Sequence, residues 1–119
     1  MVSVYVYLMQ ERVGIDLVEV ARFLPMAKDR SHPFLEKSFT AAELEYCFAR
    51  AKPAEHLAGH FAAKEAASKA LGVEEYPFIE IEVRHAKSGA PELWHKGAPL
   101  PVAVSITHTA TMAAAVVLK

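Results

Sequence analysis

The alternation of apolar and polar residues predicts strands at both ends of the chain and helices between them. Residues 13–20 are apolar and rich in β-branched side chains, with the carboxylate of Asp16 set inside the run, as in a mostly buried strand. Four later segments have similar β-forming character and are separated by turn residues: 78–84, 91–94, 102–107 and 112–118. The second half is therefore predicted to be an antiparallel meander.

Helix signals occupy the middle of the chain. Residues 21–30 are typical of a short helix with a basic exposed side, which ends at Ser31-His32-Pro33. Thr40 and Glu43 have the spacing of a capping box, which predicts a helix running to about Arg50.

A long helix is predicted over residues 53–71. Pro53 suits the first turn, where its missing N–H is not needed, and Gly72 suits the left-handed residue that closes a helix. The order of strand, helices and strands predicts an α+β fold, in which an antiparallel sheet packs on one long helix plus short helices.

The chain length and composition indicate one globular domain. We expect this domain to span residues 9–119, with residues 1–8 as an N-terminal extension, because Met9 is a natural start. At 53% the apolar content is slightly high, so other subunits are expected to cover part of the surface.

Charge and cysteine content limit the partners and the compartment. The net charge of −1, with acids and bases mixed along the chain, predicts no attraction to nucleic acid. The apolar opening is short and has no basic leader, which predicts neither a signal peptide nor a membrane span. A lone Cys47 cannot form an intrachain disulfide, which fits a cytoplasmic protein.

At 100° per residue, the long helix has two different sides. One side carries only small residues, so another backbone can approach it closely: Ala58, Gly59, Ala62, Ala63, Ala66 and Ala70. The other side carries the larger and charged ones: Leu57, Phe61, Lys64, Glu65, Ser68 and Lys69.

Three charged residues are candidates for the chemistry. Glu65 and Lys69 stand one turn apart and by themselves suggest an ordinary solvated ion pair. Asp16 adds a second interpretation, because a carboxylate in an apolar strand needs a partner or a metal. Asp16 and Glu65 together would suit Mg²⁺, with phosphate and water completing its coordination.

The histidines allow other interpretations. His56 and His60 have a spacing that can chelate zinc, but the segment between them lacks the glutamate of zinc proteases. His108, at the end of an apolar strand, either donates to a phosphate or caps the turn. The glycine-rich nucleotide motifs and the serine elbow are missing from the sequence.

Two segments resemble a known family. Residues 14–20 followed by Arg22, and residues 61–71 with their Lys-Glu-Ala-x-x-Lys-Ala pattern, are similar to the two signatures of holo-acyl-carrier-protein synthases, which are 4'-phosphopantetheinyl transferases. Weaker matches at Phe39-Thr40 with Glu43-Leu44, at 89–91 and at 104–109 keep the family's order, and the resemblance covers residues 13–117.

This resemblance implies a fold and a reaction. The fold would be that of the 4'-phosphopantetheinyl transferases, assembled as a homotrimer with active sites at subunit interfaces. The enzyme would move 4'-phosphopantetheine from coenzyme A to a serine of an apo acyl carrier protein, releasing 3',5'-ADP, for fatty acid synthesis. The serine hydroxyl would attack the β-phosphate, with Glu65 or a metal-bound hydroxide taking the proton.

The resemblance also implies the site residues. Asp16 and Glu65 would hold Mg²⁺, which bridges the coenzyme A pyrophosphate, and both would be catalytic together with Lys69. Lys64, Lys69 and His108 would lie near the phosphates. Arg22 would receive the acidic recognition helix of the carrier protein.

Three features depart from the family's pattern. His60 stands where the family usually has arginine, so weaker, pH-dependent coenzyme binding is expected from a group that titrates near neutrality. The connections 72–78 and 96–102 are short, the second lacking a helix, which affects the adenine pocket and the trimer contacts.

Three alternatives remain open. One is a transferase for a polyketide or secondary-metabolite carrier. Another is a degenerate, non-catalytic trimeric binding module, and a third is an unrelated zinc-binding domain.

Overall fold

The computed structural model of the protein describes residues 11–119. The strands are Val13–Glu19 (β1), Ile81–His85 (β2), Pro91–His95 (β3), Ala98–Pro99 (β4), Ala103–His108 (β5) and Met112–Leu118 (β6). The α-helices are Pro33–Ser38 (α1), Ala41–Phe48 (α2) and Pro53–Leu71 (α3), with 3₁₀ turns at Val20–Phe23, Met26–Lys28 and Phe78–Glu80. The predicted α+β class is confirmed. The proposed extension at residues 1–8 lies outside the described residues.

The predicted signals mark the start of α2 and both ends of α3, while α2 ends at Phe48 and not at about Arg50. Thr40 Oγ1 accepts from the Glu43 N–H, and Glu43 Oε1 accepts from the Thr40 N–H, which completes the capping box of α2. Pro53 opens α3, and Gly72 follows it with a φ of 95°, a conformation that glycine adopts without a steric penalty. Local signals alone therefore predicted the bounds of α3.

The strands form two sheets and not the single meander that was predicted. One antiparallel sheet has the order β1-β6-β5, and the other has the order β2-β3-β4. Pairing with β3 continues one residue past β4, where the Leu100 N–H donates to the Leu93 carbonyl, and it ends at Pro101, which has no N–H to donate. The chain then crosses to the first sheet, where β5 pairs with β6 and β1 closes the other edge.

Two predicted segments differ in the structure. Residues 21–30 form no α-helix, because Pro25 has no N–H for the helical hydrogen bonds. Two short 3₁₀ turns form instead, one before Pro25 and one after it. The strand predicted from residue 78 begins at Ile81, since a 3₁₀ turn closed by the Glu80 N–H on the Pro77 carbonyl precedes it.

A short helix was missed. Pro33 occupies the first turn of α1, and the Nδ1 of His32 accepts from the Phe34 N–H as a cap. The combination of a capping side chain and a following proline was the available sequence signal.

The small-residue side of α3 lies against β1, β5 and β6. A Cβ added at Gly14 of β1 would lie 1.9 Å from the Ala66 carbonyl oxygen, so only glycine fits there. A Cβ added at Gly59 would lie 3.0 Å from Cγ2 of Ile106 on β5. The predicted close approach to this side of the helix is confirmed.

The opposite side of α3, which carries the larger residues, is also largely buried. Leu57 is fully buried, and Phe61 packs its ring 5.5 Å from that of Phe23 and 5.8 Å from that of Phe34, centroid to centroid. An aromatic cluster thus covers the side of the helix that faces away from the β1-β6-β5 sheet. Among residues 11–119, no helix combines the length and apolar character that a membrane crossing needs.

Candidate active site

Asp16 and Lys69 meet where β1 packs on α3. Asp16 lies on the same side of β1 as the buried Gly14 and Val18, with its side chain 18% exposed. Lys69 Nζ donates to Asp16 Oδ1 at 3.2 Å and to the Ile15 carbonyl at 2.8 Å. The ion pair of Lys69 is thus with Asp16 and not with Glu65, so the solvated Glu65–Lys69 pair of the simpler interpretation is not formed.

Glu65 lies on α3 one turn before Lys69 and is partly exposed. One turn of helix rises about 5.4 Å, so this carboxylate belongs to the same region as the Asp16–Lys69 contact. The structure joins Asp16 and Lys69 directly, and Glu65 is related to them through its helical spacing of one turn from Lys69.

The residues present fit a hydrated Mg²⁺ and not an ion held by protein ligands alone. Within residues 11–119, no group of three or more His, Cys, Asp or Glu side chains is arranged to hold a metal. Mg²⁺ commonly takes one or two carboxylates and completes its octahedron with water and substrate phosphate, which matches Asp16 and Glu65. The Lys69 ammonium beside Asp16 shows that this carboxylate already accepts a cation.

Lys64 lies elsewhere than predicted. Its side chain is fully buried, and its Nζ is 2.6 Å from Oε1 of the equally buried Glu43. Burial lowers the pKa of Lys64, and the Glu43 carboxylate opposes that shift. Because the ammonium faces Glu43 and not solvent, the expectation that Lys64 lies near the coenzyme phosphates needs correction.

His108 ends β5 at the protein surface. Its Nδ1 lies 3.7 Å from Glu55 Oε1, and its ring centroid lies 5.3 Å from that of His56. A recess of about 170 Å³ opens beside it, lined by Tyr46, His56, His60, His85, Gly89, Pro91, Ile106 and His108. The imidazole is therefore available to an anion bound at the mouth of this recess.

His60 is buried, and both its ring nitrogens have partners. Nδ1 lies 3.4 Å from the Cys47 Sγ, and Nε2 lies 2.9 Å from His85 Nε2. Burial lowers the pKa of His60 to about 3, and the charge of the neighbouring His85 is the second cause of this shift. The expectation that His60 titrates near neutrality is therefore wrong, and both nitrogens are engaged away from the His56 side chain that the zinc interpretation paired with it.

Arg22 is exposed directly after β1. Its guanidinium carbon lies 4.6 Å from the Phe61 ring centroid and 5.3 Å from that of Phe34. The aromatic faces orient this cation while leaving it accessible.

Two other contacts near the site were not predicted from the sequence. Tyr46 stacks on His85 with 4.0 Å between centroids, and this pair forms one wall of the recess. The ion pair of Glu43 joins residues 21 apart in the chain. The sequence signal for Glu43 was its capping box, which explains only one of its contacts.

The short connection 96–102 lacks the helix that the family usually has there, and it contains the two-residue strand β4.

Comparison with known proteins identifies the class. The model of the 4'-phosphopantetheinyl transferase superfamily matches residues 12–117. The holo-[acyl-carrier-protein] synthase of Chlorobaculum parvum is 40% identical over 111 residues, covering 89% of this chain and 95% of the relative. The chain therefore belongs to the 4'-phosphopantetheinyl transferase superfamily, in its holo-[acyl-carrier-protein] synthase group, and is a transferase enzyme.

Solved structures agree with this assignment. The Bacillus anthracis holo-(acyl-carrier-protein) synthase in complex with CoA (3',5'-ADP) has a TM-score of 0.74 at 35% identity, covering 90% of this chain and 93% of its own. The Helicobacter pylori synthase in complex with coenzyme A has a TM-score of 0.72 at 32% identity, covering 88% and 96%. The predicted 4'-phosphopantetheinyl transferase fold is confirmed.

Proposed function

We propose that the protein transfers 4'-phosphopantetheine from coenzyme A to a serine of an apo acyl carrier protein, with Mg²⁺, releasing 3',5'-ADP, in fatty acid synthesis. The observation that carries the proposal is the contact of Lys69 with Asp16, because it joins the two family signatures in one site. Relatives solved with coenzyme A support this compound as the donor.

Asp16 and Glu65 would hold the Mg²⁺, which when bound neutralises negative charge on the phosphoryl group undergoing transfer. Lys69 adds a second positive charge beside Asp16, and His108 donates to a phosphate from the mouth of the recess.

Glu65 is one acceptor for the proton of the attacking serine. The role fits a partly exposed carboxylate, because the hydroxyl has to reach it from solvent. Arg22 supports carrier binding, since a cation held over aromatic rings is preorganised for an acidic helix.

The outer face of the β1-β6-β5 sheet supports assembly into a homotrimer. Ile15 and Leu17 are 65% and 66% exposed on β1, and Ile15 is paired with Val116, which is 37% exposed on β6. Contiguous apolar surface of this kind is usually covered by another protein surface. A trimer would place active sites at subunit interfaces, in a cytoplasmic enzyme.

Intact-mass spectrometry of an apo acyl carrier protein tests the reaction. The carrier is incubated with this protein, coenzyme A and Mg²⁺, beside an EDTA-treated sample and the Glu65→Ala variant. We expect a gain of one phosphopantetheine that both controls lose. Glu45→Ala on α2 serves as a matched exposed-carboxylate variant that keeps the gain.

The carrier panel separates the remaining alternatives. Modification only of polyketide or secondary-metabolite carriers would identify the protein as the transferase for that class of carrier. No modification of any carrier would reject transfer in favour of the non-catalytic binding module.

A further inference from the structure

The Glu43 carboxylate is a buried junction between three elements. Oε1 accepts from the Thr40 N–H at 2.9 Å and from Lys64 Nζ at 2.6 Å, and Oε2 accepts from the Val83 N–H at 2.9 Å. One side chain thereby joins the start of α2, the middle of α3 and the centre of β2. This exceeds what a capping box requires, which is a single contact to the N-cap N–H.

Lys64 completes the junction from α3. Its ammonium lies 5.3 Å from the ring centroids of both Phe39 and Phe78, away from solvent. A buried ion pair is weak evidence for stability, because the desolvation of both charges offsets their attraction. The pair does have strong geometric consequences, since neither charge can leave the other without being stranded in the interior.

Residue 65 is held between two fixed neighbours on α3. Lys64 is tied to Glu43, while the Ala66 carbonyl is packed so closely on Gly14 that a Cβ there would approach to 1.9 Å. Consecutive helical side chains point 100° apart, so turning Glu65 about the helix axis would pull Lys64 from Glu43. The two anchors therefore fix both the rotation of this turn and its distance from β1.

We propose that the Glu43–Lys64 pair is a positioning device that orients Glu65 toward Asp16, and that Lys64 does not contact the coenzyme. This inference rests on the proposed function. A metal ligand whose orientation is already fixed binds its ion without first being ordered, and the pair fixes Glu65 through the backbone of the turn that carries it. The contribution of the pair should therefore fall on metal binding and turnover and not on the affinity for coenzyme A.

Three variants separate positioning from simple stability. Glu43→Gln and Lys64→Met each leave one buried charge unpaired and should lower the melting temperature. The double variant Glu43→Gln/Lys64→Met carries neither charge and should recover much of that stability. Glu45→Gln removes an exposed carboxylate from the same helix and serves as the matched control.

Each folded variant is assayed for kcat, for KM of coenzyme A, and for Mn²⁺ affinity by electron paramagnetic resonance, with Mn²⁺ as the probe. In the double variant we expect kcat to fall at least about 10-fold, Mn²⁺ affinity to fall about 10–100-fold, and KM to change less than about twofold. Glu45→Gln should match the wild type in all three.

Several results would overturn the inference. A double variant with wild-type kcat and Mn²⁺ affinity makes the pair purely structural. A rise in KM for coenzyme A with unchanged kcat in Lys64→Met makes Lys64 a phosphate contact. If the wild type transfers nothing, the proposed function fails, but unequal Mn²⁺ affinities would still support positioning. If the wild type also binds no Mn²⁺, both proposals are rejected.

Discussion

Lys69 of α3 bonds to Asp16 of β1, with 3.2 Å between its Nζ and the Asp16 Oδ1, and this contact joins two segments that are 53 residues apart in the chain. Because the lysine side chain is 54% exposed and the carboxylate 18% exposed, the ammonium stands at the opening of the site. Its role can thus be tested without disturbing the core.

Replacement of Lys69 should impair transfer more than folding. Lys69→Met removes a positive charge that would face the phosphates, so we expect kcat/KM to fall on the order of 10²-fold. Steady-state transfer to an apo carrier measures the effect, and Lys87→Met in the exposed loop after β2 is the control. Equal losses in the two variants would argue against a role for Lys69 in the site.

A methyl group at Gly14 should separate β1 from α3. Gly14→Ala places its Cβ 1.9 Å from the Ala66 carbonyl oxygen, and neither backbone can yield cheaply. We expect a loss of about 1–3 kcal/mol or more in the free energy of unfolding, measured by urea denaturation. Gly59→Ala is the matched variant, because its Cβ would meet only the Cγ2 methyl of Ile106, at 3.0 Å, and not a backbone atom. Alanine at this position would also raise the helix propensity of α3. Comparable stability in both variants would contradict this packing.

The buried His60 should make the protein less stable in acid. Its pKa is lowered to about 3 in the fold, while an unfolded histidine titrates near about 6.5. Above that value both states are neutral. As pH falls from about 6.5 toward about 3, only the unfolded state binds the proton, so the free energy of unfolding decreases.

Urea denaturation at pH 7, 6 and 5 should therefore show a shallower decline in His60→Gln than in the wild type. His56→Gln is the comparison on the same helix, and its effect should be smaller because the His56 ring is only partly buried. Parallel stability curves for the wild type and His60→Gln would mean that the imidazole is protonated in the fold.

A charge on the outer face of the β1-β6-β5 sheet should dissociate the assembly. Leu17→Lys puts an ammonium on apolar surface that another subunit would cover, so we expect the sedimentation coefficient to fall to that of a monomer. Leu24→Lys, at a position 57% exposed between the two 3₁₀ turns that follow β1, should leave it unchanged. A wild-type protein that sediments as a monomer would contradict the proposed trimer.

Local sequence signals determined the class of the fold and the bounds of its longest helix. Pro53 and Gly72 act through the backbone of their own residues, and the capping box of Thr40 and Glu43 closes within one turn. The two signatures likewise predicted the family, because each is a contiguous run around Asp16 or Glu65. Such signals need no knowledge of what lies across the molecule.

The partners of the polar side chains were decided only by the tertiary structure. Lys64 and Lys69 look alike along α3, yet one is buried against Glu43 and the other reaches Asp16 at the surface. From the sequence alone, His60 is expected to titrate. In the fold it is buried against His85, 25 residues away along the chain, and its lowered pKa keeps the ring neutral. Charge and burial depend on the elements packed against each side chain, and helical periodicity records only which way that side chain points.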